Sequence, residues 1–291
     1  MSIKAKELYS RGSQLLKQAG IPDWEYDSRV LLEWICKITR MDLLLEPDKI
    51  VYEEDTEKYL TYINRRASHE PLQYLIGEWE FMGFPFKVNP SVLIPRQDTE
   101  VLIEWILEKE KDKKQIFGEK KEMNLLDVCT GSGCIAVSLD LLMNKKNPNT
   151  VMVDALDISK EALNTAKENN RLNDASVDFF ESNMFEQVEK KYDIIVSNPP
   201  YIPTDVIGGL MPEVAVFEPM LALDGKEDGL HFYRRIVEKA SEYLNPGGKL
   251  LFEIGHDQGK SVSGLMKEAG FQNVRVVKDL VGNDRVVIGG L

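Results

Sequence analysis

The chain has 291 residues, 43% of them hydrophobic and 29% charged, and a formal net charge of -12. That length and balance describe a globular protein of one large or two ordinary domains with a sizeable core. The acidic excess argues against a protein whose affinity comes from contacts to nucleic-acid phosphates. In chain order, residues 3–19 place Ile3, Leu8, Leu15 and Leu16 among lysines and close at Gly20 and Pro22, the pattern of a helix with a stop signal. A second helix is predicted over 23–39, with Val30, Leu31, Trp34 and Ile35 at helical spacing. A third is predicted over 55–68, with Tyr59, Leu60, Ile63 and Ala67 on one stripe. Residues 1–76 thus read as a small helical domain whose aromatic and leucine residues form its core.

Gly77, Gly83, Pro85, Pro90 and Pro95 then punctuate short aromatic runs, which predicts a β-hairpin linker over 77–95. Asp98 is the expected N-cap of the next helix, and the charged stretch 108–122 reads as a frayed helix end and solvated loop. From residue 124 onward the pattern is strand–helix–strand. Strands are expected at 125–128, 150–157, 177–181, 193–197 and 249–254, with helices after residue 133 and over 159–171, 229–244 and 258–269. The stretch 199–227 is expected to be loop. The β runs at 274–277 and 285–288 leave no room for a crossover helix between them, so they must pair as an antiparallel hairpin at a sheet edge. Residues 96–291 therefore form an α/β domain with a doubly wound sheet.

Cys36, Cys129 and Cys134 show neither C-x-x-C spacing nor an even count, and His69, His231 and His256 are scattered, so no disulfide framework and no metal are expected. No apolar signal core opens the sequence, and no run approaches the ~18 apolar residues of a membrane span, so a cytoplasmic protein with no membrane partner is expected.

Two stretches carry chemistry. The first is Asp-Ile-Ile-Val-Ser-Asn-Pro-Pro-Tyr at 193–201. A buried strand is stopped by Asn198, Pro199, Pro200 and Tyr201, at the strand end where open α/β sheets bind ligands. The Asn198 side-chain carbonyl and the Pro199 backbone carbonyl are two acceptors suited to a planar NH2 group, with Tyr201 as an aromatic wall. Read blandly, the two prolines only terminate the strand. The second stretch is Gly131-Ser-Gly133-Cys-Ile-Ala136, which matches G-x-G-x-x-G/A after a strand and before a helix. Asp157 ends the following strand, placed to accept hydrogen bonds from ribose hydroxyls; as an alternative it caps the next helix, a role Ser159 also fits.

The Pro-Pro turn and the terminal hairpin resemble the class I S-adenosylmethionine-dependent methyltransferases. In order, Pro71–Gly77, Leu93–Glu100, Asp127–Ala136, Ser197–Ile202, Phe217–Pro219 and Gly282–Arg285 narrow this. Over essentially the whole chain they are similar to the release-factor glutamine N5-methyltransferase family (HemK or PrmC). The resemblance implies a seven-stranded methyltransferase sheet with the C-terminal antiparallel hairpin, preceded by a helical domain that docks the substrate.

It also implies S-adenosylmethionine as cofactor. Cys129, Thr130, Gly131, Ser132 and Gly133 would cradle its methionine part, Asp157 would hold its ribose, and Asn183 and Met184 would flank its adenine. Asn198, Pro199, Pro200 and Tyr201 would grip the substrate, the glutamine in the Gly-Gly-Gln loop of a class 1 peptide-chain release factor. The expected protein is a monomer with no direct nucleic-acid partner. Three residues depart from the family pattern: Cys129 stands where glycine is usual, Asn183-Met184 where an acidic residue and an aromatic are frequent, and Gln97 where proline is usual. Glu218 follows the turn, as a pocket residue or a surface one. The rival readings are an adenine amino-methyltransferase of DNA or RNA, a cofactor-binding protein without turnover, and a nicotinamide oxidoreductase.

Overall fold

The computed structural model describes residues 2–111, 122–145 and 150–291. The chain divides into two compact units, Met1–Glu78 with Met211–Phe217, and Trp79–Leu210 with Glu218–Leu291.

The first unit runs β1 (Ile3–Lys4), α1 (Ala5–Gln18), α2 (Trp24–Cys36), α3 (Arg40–Leu45), β2 (Ile50–Val51), α4 (Glu53–Ala67) and α5 (Leu72–Ile76). Leu8 and Leu16 of α1, Leu31 and Leu32 of α2, and Tyr59 and Ile63 of α4 are fully buried, as the helical stripe requires. The expected helix at 3–19 starts at Ala5 because Ile3 and Lys4 pair antiparallel with Val51 and Ile50. The expected helix at 23–39 ends at Cys36, where Lys37 turns left-handed; Thr39 and Asp42 then form a reciprocal capping box that starts α3. Arg66 is buried: its Nε donates to Asp27 Oδ2 (2.7 Å) and its Nη2 to Glu213 Oε1 (3.0 Å).

β3 (Glu78–Phe81), which opens on the last residue of the first unit's leading segment, pairs with β4 (Phe84–Lys87) across Met82-Gly83, both with positive φ. A 3-10 turn at Gln97–Thr99 leads into α6 (Glu100–Lys111). Asp98 does not cap this helix; its carboxylate lies 3.0 Å from the Arg285 guanidinium, and an ion pair outbids the local cap. Most of the expected loop at 108–122 lies outside the described residues.

There follow β5 (Met123–Val128), α7 (Cys134–Asn144), β6 (Val151–Asp157), α8 (Lys160–Leu172), β7 (Asp178–Glu181) and β8 (Tyr192–Ser197). Three short helices then occupy a stretch expected to be loop: α9 (Thr204–Ile207), α10 (Pro212–Phe217), which belongs to the first unit, and α11 (Met220–Leu223). The chain ends with α12 (His231–Tyr243), β9 (Leu244–Glu253), α13 (Gly259–Glu268), β10 (Gln272–Lys278) and β11 (Asp284–Gly290). β9 begins five residues earlier than expected, because Leu244 already pairs with Tyr192 and the ladder resumes at Lys249, leaving Asn245–Gly248 as a bulge.

The seven-stranded sheet has the order β10-β11-β9-β8-β5-β6-β7. The strands from β9 through β8, β5 and β6 to β7 run parallel, and β11 and β10 pair antiparallel at the edge. Leu125, Leu126, Ile194, Ile195, Val196, Leu250 and Leu251 of the central strands are at most 1% exposed, as strands covered on both faces must be. Chain order reverses between β5 and β8, which opens a crevice at their carboxyl ends. Among the described residues no helix is long and apolar enough to cross a membrane.

Candidate active site

β5 and β8 end side by side, and the Ser197 hydroxyl donates to the Val128 carbonyl (2.6 Å), pinning the two loops that follow. In the loop after β5, Cys129, Gly131 and Gly133 all have positive φ. At Gly133 a side chain is excluded twice, by φ +79° and because a Cβ would lie 3.1 Å from that of Ala166 on α8. Gly131, by contrast, faces open space with nothing within 4 Å of an added Cβ. The Thr130 hydroxyl donates to Asp127 Oδ2 (2.6 Å). Burial, reinforced by the nearby Asp157, pushes the Asp127 carboxyl up to about 7 against the Thr130 hydrogen bond.

Asp157 at the end of β6 accepts from the Gly131 amide at Oδ2 and from the Ser159 amide at Oδ1, both at 2.9 Å. Desolvation raises its carboxyl above the ordinary range despite those bonds. Ser159, not Asp157, caps α8, its hydroxyl accepting from the Ala162 amide (3.1 Å). After β7, the Asn183 side chain accepts from Arg235 of α12 (3.1 Å), and Met184 is buried beside it.

The turn after β8 is braced from behind. Gln258 donates to the Tyr201 carbonyl (3.0 Å) and to the Gly229 carbonyl (3.3 Å). Gly229, at φ +70°, runs so close that a Cβ would fall 2.3 Å from the Tyr201 oxygen. Burial, with the neighbouring Glu253 charge, raises the Tyr201 phenol above its ordinary range. Glu218 is neither a surface residue nor a lining one: only 6% exposed, it accepts at both carboxylate oxygens from Nη2 of Arg96 (2.6 and 2.7 Å), which does line the cavity above these loops.

A cavity of about 500 Å³ opens over these loops, within the range of small-molecule sites. Cys129, Thr130, Gly131, Ser132, Asp157, Asn183, Met184, Asn198 and Pro200 line it; Gly133, Pro199 and Tyr201 do not. Sequence reasoning missed Thr99, Ile158, Phe232 and Arg235, which also line it, and Gln258 and Gly229 behind the turn. Thr99 sits in the Leu93–Glu100 stretch that carries the resemblance; no local pattern marks the others, and only the fold brings them there. The cavity offers a carboxylate for a diol, amides at the head of α7 beside open space at Gly131 for an anionic group, and Ile158, Met184 and Phe232 for a flat base. That donor set fits S-adenosylmethionine.

Family models match both parts of the chain, the PrmC N-terminal domain at residues 7–77 and the methyltransferase small domain at residues 100–207. A release factor glutamine methyltransferase from Clostridium botulinum is 40% identical, over 97% of each chain. One from Fusobacterium nucleatum is also 40% identical, over 97% of this chain and 77% of its own length. The hMettl16 catalytic domain, solved with the MAT2A 3'UTR hairpin 6, shares the fold at TM-score 0.53 and 15% identity, over 83% of this chain and 84% of that one. With its glycine loop and Asn-Pro-Pro-Tyr turn on adjacent strand ends, and this identity along nearly its whole length, the chain belongs to the release factor glutamine methyltransferase family.

Proposed function

We propose that this protein methylates the side-chain amide nitrogen of the glutamine in the Gly-Gly-Gln loop of a class 1 peptide-chain release factor, using the residues that line the cavity above β5 and β8. The observation that carries the reading is that Asn198 and the glycine loop share one cavity, so a donor and an amide would meet there. S-adenosylmethionine, when bound, supplies an electrophilic methyl group. The 129–133 loop holds its methionine end, Asp157 its ribose, and Asn183 and Met184 its adenine edge.

An amide nitrogen is a weak nucleophile because its lone pair is delocalised into the carbonyl. The Asn198 and Pro199 carbonyls would accept its two N–H bonds, orient it toward the bound cofactor and favour the positive charge it gains on taking the methyl; the amide returns to neutrality by losing one of those protons to water. Tyr201, its carbonyl held by Gln258, keeps the turn rigid from behind the cavity. Residues 1–76 dock the release factor, 77–95 link, and 96–291 carry out transfer. The protein acts as a monomer in the cytoplasm, and its net charge of -12 speaks against direct contact with nucleic acid.

The test is methyl transfer from labelled S-adenosylmethionine to a purified release factor and to a version with the loop glutamine changed to alanine. Label on the glutamine version alone is expected; label on neither, with label on DNA or RNA, overturns the substrate.

A further inference from the structure

Behind Asn198 lies a carboxylate that the mechanism above does not use. Glu253, the last residue of β9, is 1% exposed, and its Oε2 has no hydrogen-bond partner among the described residues. It accepts a side-chain hydrogen bond from Thr99. Thr99 Oγ1 in turn lies 3.5 Å from Asn198 Nδ2, the long end of hydrogen-bonding distance. We propose that Glu253 is a positioning residue that sets which end of the Asn198 amide faces the substrate, acting through the Thr99 hydroxyl.

The argument is one of donor counting. An ionised carboxylate can only accept, so Thr99 spends its single proton on Glu253. The Thr99 oxygen is then left with lone pairs alone toward Asn198, and only the NH2 end of that amide can satisfy them. The carbonyl end has no protein donor among the described residues, and Asn198 lines the cavity. An acceptor is what a substrate NH2 group needs. Reversed, Asn198 would present its own NH2 to the substrate's, donor against donor. A neutral Glu253 donates as well as accepts, so the hydroxyl can turn and the reversed amide is no longer excluded.

Burial, opposed by Thr99, Arg285 and Arg96, pushes Glu253 up to about 7, which places this change inside the working pH range. The charged and titratable groups around it are Arg285 on β11, Arg96 and Asp98 before α6, Tyr201 in the turn, Tyr233 on α12 and Cys134 on α7. Burial raises the two phenols above their ordinary range and the thiol to about 12, so neither kind titrates near neutrality. Asp127 is also pushed up to about 7, and burial raises Asp157 and Glu218 as well, so a variant must assign the limb.

The inference rests on the glutamine reading, and the test separates the two. Wild type, Glu253→Gln, Thr99→Val and Thr99→Ser are compared for kcat, KM and pH profile on the release factor, with melting temperature and cofactor affinity as checks on folding. Glutamine labelling by wild type establishes the reading. The inference then expects a wild-type kcat that rises through an acid limb near pH 7, and a kcat about tenfold lower in Glu253→Gln and Thr99→Val with KM nearly unchanged. The limb is absent in Glu253→Gln, and Thr99→Ser restores kcat. Near-wild-type kcat with an unaltered limb in Glu253→Gln and Thr99→Val overturns it.

An activity-free readout decides the matter should glutamine not be the substrate. In asparagine-15N-labelled protein, the Asn198 NH2 resonances, assigned with Asn198→Ala, are expected to shift through the Glu253 titration. That shift should be lost in Thr99→Val. Resonances that ignore pH in wild type refute the relay.

Discussion

Cys129 holds a left-handed backbone conformation at φ +65°, which costs a residue with a Cβ about 1 kcal/mol. Its side chain recovers some of that by packing against the apolar cluster beneath the sheet. The balance predicts that Cys129→Gly changes stability by less than about 1 kcal/mol, while Cys129→Val, β-branched at the same φ, loses about 2 kcal/mol or more. Urea unfolding of both variants measures the difference. On the proposed mechanism Asn198→Ala removes the acceptor for the substrate amide and should lower kcat roughly 10²-fold or more with the cofactor still bound; steady-state kinetics with a parallel binding titration test this. Gly229→Ala carries its methyl into the Tyr201 carbonyl, so it should cut turnover without touching the cavity lining. An active variant with an undisturbed melting temperature would show the turn is less rigid than its contacts imply.

At the scale of elements, α8 is set by Ser159, and Ser159→Ala should cost about 1 kcal/mol by removing its bond to the Ala162 amide, read by thermal melting. That cap was legible, as were the apolar strands, the glycine loop, the Asn-Pro-Pro-Tyr turn and the terminal hairpin, because each is written in adjacent residues. α3 was also written locally, in Thr39-Arg-Met-Asp42, and went unread. α9, α10 and α11 span four to six residues each, too few to show a helical period. The pairings behind the turn had no local signature. Arg96 and Glu218 are 122 positions apart, and Thr99 meets Glu253 only because β9 ends beside the turn preceding α6. Asp98 misled for the same reason: its partner Arg285 stands near the other end of the chain.

Over the whole molecule, buried carboxyls give stability an unusual slope with pH. Asp127 binds its proton up to about 7 when folded, against an ordinary value of 3.8. Between those values the unfolded chain holds fewer protons at this site than the folded one, so the contribution falls as pH rises. Asp127→Asn should therefore gain on wild type by roughly 1.4 kcal/mol per pH unit at most across that window. Chemical denaturation at pH 4, 5, 6 and 7 reads the slope, and a constant difference would mean that the carboxyl titrates normally.

The first unit also has a genealogy built into it. Glu213, which completes the surroundings of Arg66, arrives from α10, encoded more than a hundred residues after the helices it joins. A fragment ending at Glu78 leaves that guanidinium with the Asp27 carboxylate and the Glu70 carbonyl, and without its second carboxylate. Such a fragment should melt low and be rescued by a peptide covering 208–219 added in trans, but not by one carrying Glu213→Gln. The helical unit is therefore not a cassette that recombination can lift out with two cuts at its ends. Any descendant that keeps these helices has to inherit the segment following the Asn-Pro-Pro-Tyr turn along with them.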